Sequence, residues 1–135
     1  MPNNVRAVDH VQLPIPLGAS SKARSFYAEV LELQELRGPA FERPGTLHFS
    51  LGWQRLDLTE GHYIGIAPQA HLALQVIDLE RLALRLHRAG HLVDDAPLLA
   101  EHRFYVEDPF GNRLELIEPA PASSLQPLAS FNVAV

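Results

Sequence analysis

The sequence contains two copies of one unit, and this internal repeat constrains the fold more than any other feature. The segment DHVQL at 9–13 is similar to AHLAL at 70–74, and a helical pattern follows each. QRLDLTE at 54–60 is similar to NRLELIE at 112–118. The histidines of the first pair are 61 residues apart and the acids of the second pair 58, so the offset is nearly shared. Two matches in the same order indicate a duplicated module.

The composition is that of one globular domain that occupies all 135 residues. Since the chain has no cysteine, disulfides, thiolate metal sites and cysteine nucleophiles are excluded. Eleven basic residues against 16 acidic ones give a net charge of −5 and no basic cluster, which argues against nucleic acid. The absence of a long apolar stretch argues against a membrane. We expect a cytoplasmic protein.

The first module is predicted over about 5–60 as a strand, a helix and further strands. Alternation predicts a strand at 5–13, which ends at Pro14 and Pro16 or lies at a sheet edge, because proline cannot donate to a ladder. Ser20 or Ser21 is the expected cap of the following helix, whose apolar face is spaced helically. Two more strands are predicted at 46–51 and 53–59, with Gly52 at the bend between them.

The second module is predicted over about 70–118, with a C-terminal tail at 119–135. Asp78 is placed to cap a helix over 79–89, and Gly90 is its stop signal. The segment DPFGN at 108–112 predicts a tight turn, since proline fixes φ and glycine permits positive φ. Strands are predicted on both sides of these features, at 71–77, 102–107 and 113–118.

The repeated strands carry a polar face as well as an apolar one. Side chains alternate between the two faces of a strand, and the apolar set is expected to lie under the helices. His10 and Asp57 fall in the polar set of the first copy, and His71 and Glu115 in that of the second. We expect a twofold pairing of the copies to bring these four side chains into one concave site.

Two imidazoles with one or two carboxylates are a ligand set for a divalent metal such as Fe, Ni, Co, Mn or Zn. With open positions, such a metal binds neighbouring substrate oxygens and acts as a Lewis acid. The alternative is a solvated sheet face, which commonly contains these residue types. Histidine first and acid last in both copies favours the metal, but spacing leaves both interpretations open.

Three segments resemble the vicinal oxygen chelate superfamily, which includes glyoxalase I, extradiol dioxygenases, fosfomycin-resistance enzymes and bleomycin-resistance proteins. They are VDHV at 8–11, AHLALQVIDL at 70–79 and FYVEDPFGNRLE at 104–115. The resemblance covers residues 5 to 118. It implies an α+β fold in which two βαβββ modules form a cupped, mostly antiparallel eight-stranded sheet around a metal, with the helices outside.

Carried over to this sequence, the resemblance makes His10, His71 and Glu115 metal ligands. Asp57 falls where glyoxalase-like members have Glu, Gln or His, and its shorter side chain leaves its ligation open. Without Asp57 the set matches the two-histidine, one-carboxylate triad of non-haem iron members. Glu115 is the expected base for glyoxalase-like proton transfer. Tyr105 matches the tyrosine that extradiol dioxygenases carry beside a bound catecholate.

Other polar residues are expected near the substrate. Arg55 and Arg113 lie at matched positions of the polar face, where an arginine can bind a substrate carboxylate through two hydrogen bonds. Gln12 and Gln75 are expected to join them. The alternative for both arginines is a structural pairing with a nearby acid. His48 is a loose match for the additional acid–base histidine of extradiol enzymes.

We expect a small metal-dependent enzyme, of lyase or isomerase type, that acts on a small molecule with vicinal oxygens. An extradiol-type dioxygenase is one alternative. A metal-free protein similar to the bleomycin-resistance class is the other: the net charge of −5 agrees with it, and retention of the ligand set disagrees. A homodimer is expected by analogy, because open sheets leave strand edges that partners cover.

Overall fold

The computed structural model describes Asn4 and residues 8–62 and 71–119. The chain forms two compact units. Unit one comprises Met1–Ala70 with Glu107–Asn112, and unit two comprises His71–Val106 with Arg113–Val135. The predictions for residues 5–7 and for the tail from residue 120 lie outside the described residues, as do residues 63–70. Within the described ranges, no helix has the length and apolarity that a membrane crossing requires.

Unit one contains a three-stranded mixed sheet in the order β1-β3-β2. Its strands are β1 (His10–Pro16), β2 (Thr46–Ser50) and β3 (Arg55–Gly61). Strand β1 runs parallel to β3, and β2 runs antiparallel to it. Strand β1 lies at the edge of this sheet, which confirms the second of the two outcomes predicted for Pro14 and Pro16. Prolines are tolerated there, because one side of an edge strand makes no ladder hydrogen bonds. Gly52 has a φ of 89° between β2 and β3, which confirms the bend.

The helix of unit one buries the predicted apolar face. Helix α1 (Ser20–Arg24) continues as a π-helical segment (Ser25–Val30). Phe26 and Tyr27 are buried, and the Tyr27 ring centroid lies 5.7 Å from that of Phe49 on β2. This aromatic contact ties the helix to the sheet of the same unit.

The predicted serine cap of α1 is wrong. The residue at the N-cap is Ala19, and no side chain caps the helix. Ser20 Oγ instead donates to Glu60 Oε2 at 2.7 Å, and the Gly18 amide donates to the other carboxylate oxygen. These two hydrogen bonds, that from Ser20 first, lower the pKa of Glu60. A charged acceptor on β3 therefore takes the hydroxyl that a cap would use.

Unit two contains a four-stranded sheet in the order β4-β7-β6-β5. Its strands are β4 (Leu72–Gln75), β5 (Val93–Asp94), β6 (Arg103–Glu107) and β7 (Arg113–Ile117). Strand β4 runs parallel to β7, and β5 runs antiparallel to β6. Both units therefore pair their first strand in parallel with their last, as expected for two copies of one module.

The predicted helix of unit two is confirmed as α2 (Leu79–Arg88). The Asp78 side chain accepts a hydrogen bond from the Arg81 amide at 3.3 Å, which confirms the cap. Gly90 follows with a φ of 88°, as the stop signal predicts. Neither β5 nor the short helix α3 (Leu98–Glu101) was predicted.

The described residues form seven strands in two sheets, rather than the eight expected in one. The segment before β2 forms only isolated bridges, one of which joins Glu35 to Phe49. Both sheets are mixed, because a helical connection followed by a hairpin returns the last strand parallel to the first. The fold class, α+β, is confirmed.

The turn at 108–112 is held by its own side chains and by other residues of unit one. Asp108 Oδ1 accepts from the Phe110 and Asn112 amides at 2.9 and 2.8 Å. Asn112 Nδ2 donates to the Pro14 carbonyl at 3.1 Å. The buried Tyr27 hydroxyl donates to Asp108 Oδ2 at 2.7 Å. Burial, and then the neighbouring Asp108 charge, raise the pKa of Tyr27. This turn, which is part of the third segment that carries the resemblance, thus has a structural role.

Candidate metal and substrate site

His10 stands at the start of β1 with one ring nitrogen already engaged. Its Nδ1 lies 2.8 Å from Asp9 Oδ2. The hydrogen bond with His10 lowers the pKa of the Asp9 carboxyl, so the carboxylate accepts and His10 Nδ1 donates. This leaves Nε2 as the nitrogen with a lone pair for a ligand. A carboxylate behind a histidine is the usual orienting partner of a metal-ligating imidazole.

Asp57 is the buried carboxylate of unit one, with 4% of its surface exposed. Its Oδ1 accepts from His48 Nδ1 at 2.6 Å and from Arg55 Nε at 2.7 Å, and its Oδ2 accepts from Arg55 at 3.0 Å. Burial alone would raise the pKa of Asp57, but the hydrogen bonds from Arg55 and His48 outweigh burial and lower it. The nearest His10 nitrogen is Nε2, 3.9 Å from Oδ2.

The register of the sheet explains this cluster. Gln12 on β1 and His48 on β2 both pair with Asp57 on β3, from opposite sides. Arg55 lies two residues before Asp57, so both side chains point to the same face of β3. The structural pairing considered for Arg55 is therefore present in the structure.

A cavity of about 330 Å³ opens beside this cluster in unit one. His10, His48, Asp57 and Gln12 all contribute to its wall. The Phe41 ring lies 5.3 Å from the His48 ring, centroid to centroid. His48 Nε2 is buried and has no hydrogen-bond partner among the described residues. An unpaired buried nitrogen costs free energy, so it indicates a position where a ligand or water binds.

Glu115 is the buried carboxylate of unit two, with 5% of its surface exposed. It lies on β7, where Ala73 of β4 is its register partner. His71 Nε2 lies 2.9 Å from Glu115 Oε1, and Arg103 donates to Oε2 at 2.9 Å. A histidine and a glutamate thus meet in unit two, and an arginine holds the carboxylate from its second oxygen.

Tyr105 stands next to this pair. Its ring centroid lies 6.2 Å from that of His71, with the planes at 81°. The Arg113 guanidinium lies over the Tyr105 ring at 4.4 Å from the centroid, which is a cation–π contact. Arg113 therefore contacts an aromatic ring. Gln75, the other predicted substrate residue of this unit, is exposed at the end of β4.

The carboxylates of both units are buried, so the solvated-face interpretation does not describe them. The sequence did not predict the contacts of His48 and Arg103 with these acids. A polar residue between the apolar neighbours Leu47 and Phe49 is the signal that could have found His48. Across the residues that the structure describes, no group of three or more His, Asp and Glu side chains is arranged to hold a metal ion.

Comparison with known protein families identifies the chain at this point. The family model of the Glyoxalase/Bleomycin resistance protein/Dioxygenase superfamily matches residues 7–116. The chain belongs to this superfamily. No match was found among curated proteins.

Several solved structures share the fold of this chain. A glyoxalase family protein from Bacillus anthracis is 32% identical, with a TM-score of 0.77 over 89% of this chain and 100% of that one. The fosfomycin resistance protein FosX from Mesorhizobium loti is 15% identical, with a TM-score of 0.68 over 87% and 95%. Lactoylglutathione lyase from Agrobacterium tumefaciens is 21% identical, with a TM-score of 0.65 over 86% and 96%. The last two likenesses concern the fold alone.

Proposed function

We propose that this chain is a metal-dependent enzyme of glyoxalase type, which catalyses a lyase or isomerase reaction on a small molecule with two adjacent oxygens. The observation that supports it most is the pair formed by His71 Nε2 and the buried Glu115 carboxylate at 2.9 Å. The Glu115 carboxylate is buried, and a buried charge is costly to maintain without a function, because it is desolvated. His71, which immediately precedes β4, keeps 36% of its side chain exposed.

The donor chemistry fits a divalent metal. We propose His10, His71 and Glu115 as its ligands, which gives two neutral nitrogens and one anionic oxygen. His10 is held with Nε2 available by its bond to Asp9. Asp57 is proposed as a positioning residue rather than a ligand, since Arg55 and His48 donate three hydrogen bonds to it. By contrast, the group at Glu115 Oε1 is His71, which is itself a proposed ligand.

When bound, the metal supplies a Lewis acid that lowers the pKa of a C–H or O–H beside the oxygens it polarises. Glu115 then has the role of general base, because an ionised carboxylate can take that proton and return it to the adjacent position. Arg103 holds the Glu115 carboxylate in place through its bond to Oε2. Burial of Glu115 keeps water away from the carboxylate, which strengthens its interactions.

An extradiol-type dioxygenase is the second candidate, and the position of Tyr105 favours it. The Tyr105 ring lies edge-on to His71, a proposed ligand, with 6.2 Å between the ring centroids. The two candidates differ in what they consume, because ring cleavage requires dioxygen and a catechol. Oxygen uptake in the presence of catechols distinguishes this candidate from a lyase or isomerase.

Metal analysis of protein purified without chelators or added metal tests the proposal. We expect bound metal in the wild type, its loss in His71→Ala, and its retention in His87→Ala, a half-exposed histidine of the same unit. The loaded protein is then assayed on α-ketoaldehyde–thiol adducts and on catechols. An absence of bound metal, with no thermal stabilisation by Ni, Co, Mn, Fe or Zn, would contradict the proposal and favour a metal-free binding protein.

We also propose a homodimer, because β1 and β2 are both edges of the sheet in unit one and leave backbone groups that a second chain can cover. Light scattering coupled to size exclusion tests this. A monomer at high protein concentration would contradict it.

A further inference from the structure

The wall of the unit-one cavity contains a side chain to which the proposed reaction gives no role. His48 is 6% exposed, and its Nε2 lacks a hydrogen-bond partner in the described part of the chain. Its other nitrogen lies 2.6 Å from the Asp57 carboxylate. Because Arg55 donates a hydrogen bond to each Asp57 oxygen, the carboxylate acts as the acceptor in this cluster, so Nδ1 carries the proton. In the neutral ring Nε2 is then an acceptor that a hydroxyl donor would satisfy.

The charges around the cavity favour an anion. Its lining includes the cations Arg43 and Arg55 and the anion Asp57, so its net charge is positive when the histidines are neutral. Arg55 is occupied by Asp57. Arg43 is exposed, and no ion pair or side-chain hydrogen bond engages it among the described residues. A ligand carboxylate can therefore approach Arg43 without displacing an existing partner.

The cavity also has an aromatic wall. The Phe41 ring is 5.3 Å from His48, and the Arg55 guanidinium lies 5.9 Å from its centroid. Flat apolar groups pack well against such a ring. The volume of about 330 Å³ is at the small end of the range for ligand sites, which suits a molecule of about ten heavy atoms.

We propose that this cavity binds a small 2-hydroxy acid with a flat apolar body. The hydroxyl donates to His48 Nε2, the carboxylate pairs with Arg43, and the apolar body packs on Phe41. Asp57 acts as a positioning residue, since its bond to Nδ1 fixes the tautomer that makes Nε2 an acceptor. A 2-hydroxy acid has adjacent oxygens, so the inference names a substrate class for the proposed function, and it rests on that function for the reaction but not for binding.

Mandelate is the probe, and phenylacetate is its match without the hydroxyl. Long-range ¹H–¹⁵N spectra of chelator-treated wild-type protein report the His48 nitrogens directly, with the signals assigned by His48→Gln. We expect the Nδ1-protonated tautomer before the titration. We expect mandelate to move the Nε2 resonance in the direction of an accepted hydrogen bond, and phenylacetate to leave it in place.

Calorimetry provides the second readout. We expect His48→Gln to weaken mandelate binding about fivefold, the range for one neutral hydrogen bond, and to leave phenylacetate binding unchanged. Arg43→Gln should weaken both acids. The control His87→Gln, in unit two, should bind both as the wild type does.

The proposal is overturned if neither acid binds, if saturating mandelate leaves the His48 Nε2 resonance unmoved, or if His48→Gln keeps the preference for mandelate over phenylacetate. Because the titration uses protein without metal, its result is independent of the metal analysis. If the metal analysis fails and mandelate binds as described, the chain is a hydroxy-acid binding protein. If metal binds and the mandelate experiment fails, only the substrate class is withdrawn.

Discussion

The two units place a carboxylate at the same position of the repeat and surround it differently. In unit one, Asp57 accepts two bonds from Arg55 of its own strand and one from His48, while His10 Nε2 stays 3.9 Å away. In unit two, Glu115 lies 2.9 Å from His71, and an arginine from a neighbouring strand holds its second oxygen. Both carboxylates are buried.

Under the proposed function, this difference corresponds to a division of roles between the duplicated modules. In unit two, the Glu115 carboxylate faces His71, the repeated histidine of the same module, which is the arrangement expected of two ligands. That of unit one is saturated by other partners and orients His48 towards a cavity. The side-chain lengths agree, because glutamate reaches one methylene further from its strand than aspartate.

Metal affinity should separate the two carboxylates most strongly. We expect Glu115→Gln to lower it by more than about 100-fold, beyond the range for residues that only support a ligand, and Asp57→Asn by about tenfold or less. Both substitutions keep side-chain volume, so they are matched. Competition with a chromogenic chelator measures the affinities. Equal losses in the two variants would contradict the division of roles.

Stability in metal-free protein should show the opposite order. Asp57→Asn is expected to lower the free energy of unfolding by about 2–3 kcal/mol, because it weakens charge-assisted bonds to Arg55 and to buried His48. Glu115→Gln is expected to cost about 1 kcal/mol, since Arg103 is partly exposed and can reach water. Urea unfolding with a chelator present measures both. A larger cost for Glu115→Gln would reverse the comparison.

A substitution of Arg103 tests whether its hydrogen bond to Oε2 holds the Glu115 carboxylate in position for metal binding. Arg103→Gln removes the bond to Oε2 and should weaken metal binding by about tenfold, the lower range for a supporting residue. Arg81→Gln, on α2 of the same unit, is the control and should bind metal as the wild type does. Unchanged affinity in Arg103→Gln would show that Glu115 is held by other contacts.

The smallest effect is expected at a carboxylate of unit one that has no part in the site. Burial would raise the pKa of Glu35, but hydrogen bonds from Arg24 and then Arg37 lower it. A lowered pKa gives stability that is present above the unfolded value of 4.5 and is lost as the pH falls through the folded value. Glu35→Gln should therefore cost about 1 kcal/mol or less at pH 7, since both arginines are partly exposed.

Unfolding of the Glu35→Gln variant at several pH values checks this. The difference from wild type should narrow towards pH 3, and the metal affinity at pH 7 should stay unchanged. A gap that persists at low pH would show that packing, rather than charge, carries the contribution of Glu35.

Local signals in the sequence predicted most of the fold. The Asp78 cap, the bend at Gly52 and the turn at 108–112 each depend on residues close together in the chain. Strand β5 and helix α3 were missed because two and four residues are too short to show a period. The cap at Ser20 failed because its competitor, Glu60, lies 40 residues away in the sequence.

The candidate site could be predicted less completely. Alternation placed Asp57 and Glu115 on the polar face, but their partners depend on register and on side chains from other strands. His48 meets Asp57 only because β2 pairs with β3 in one register, and a shift by one residue would turn it to the other face. Whether an acid is a ligand or a positioning group is thus decided by tertiary contacts.

The central claim, that one metal depends on histidines from both modules, is tested most directly by the metal content of His10→Ala beside that of His71→Ala. The account predicts about one ion per chain in the wild type and loss of nearly all of it in either variant, because removal of one ligand of three leaves too few donors. Full retention of metal in His10→Ala would contradict the account.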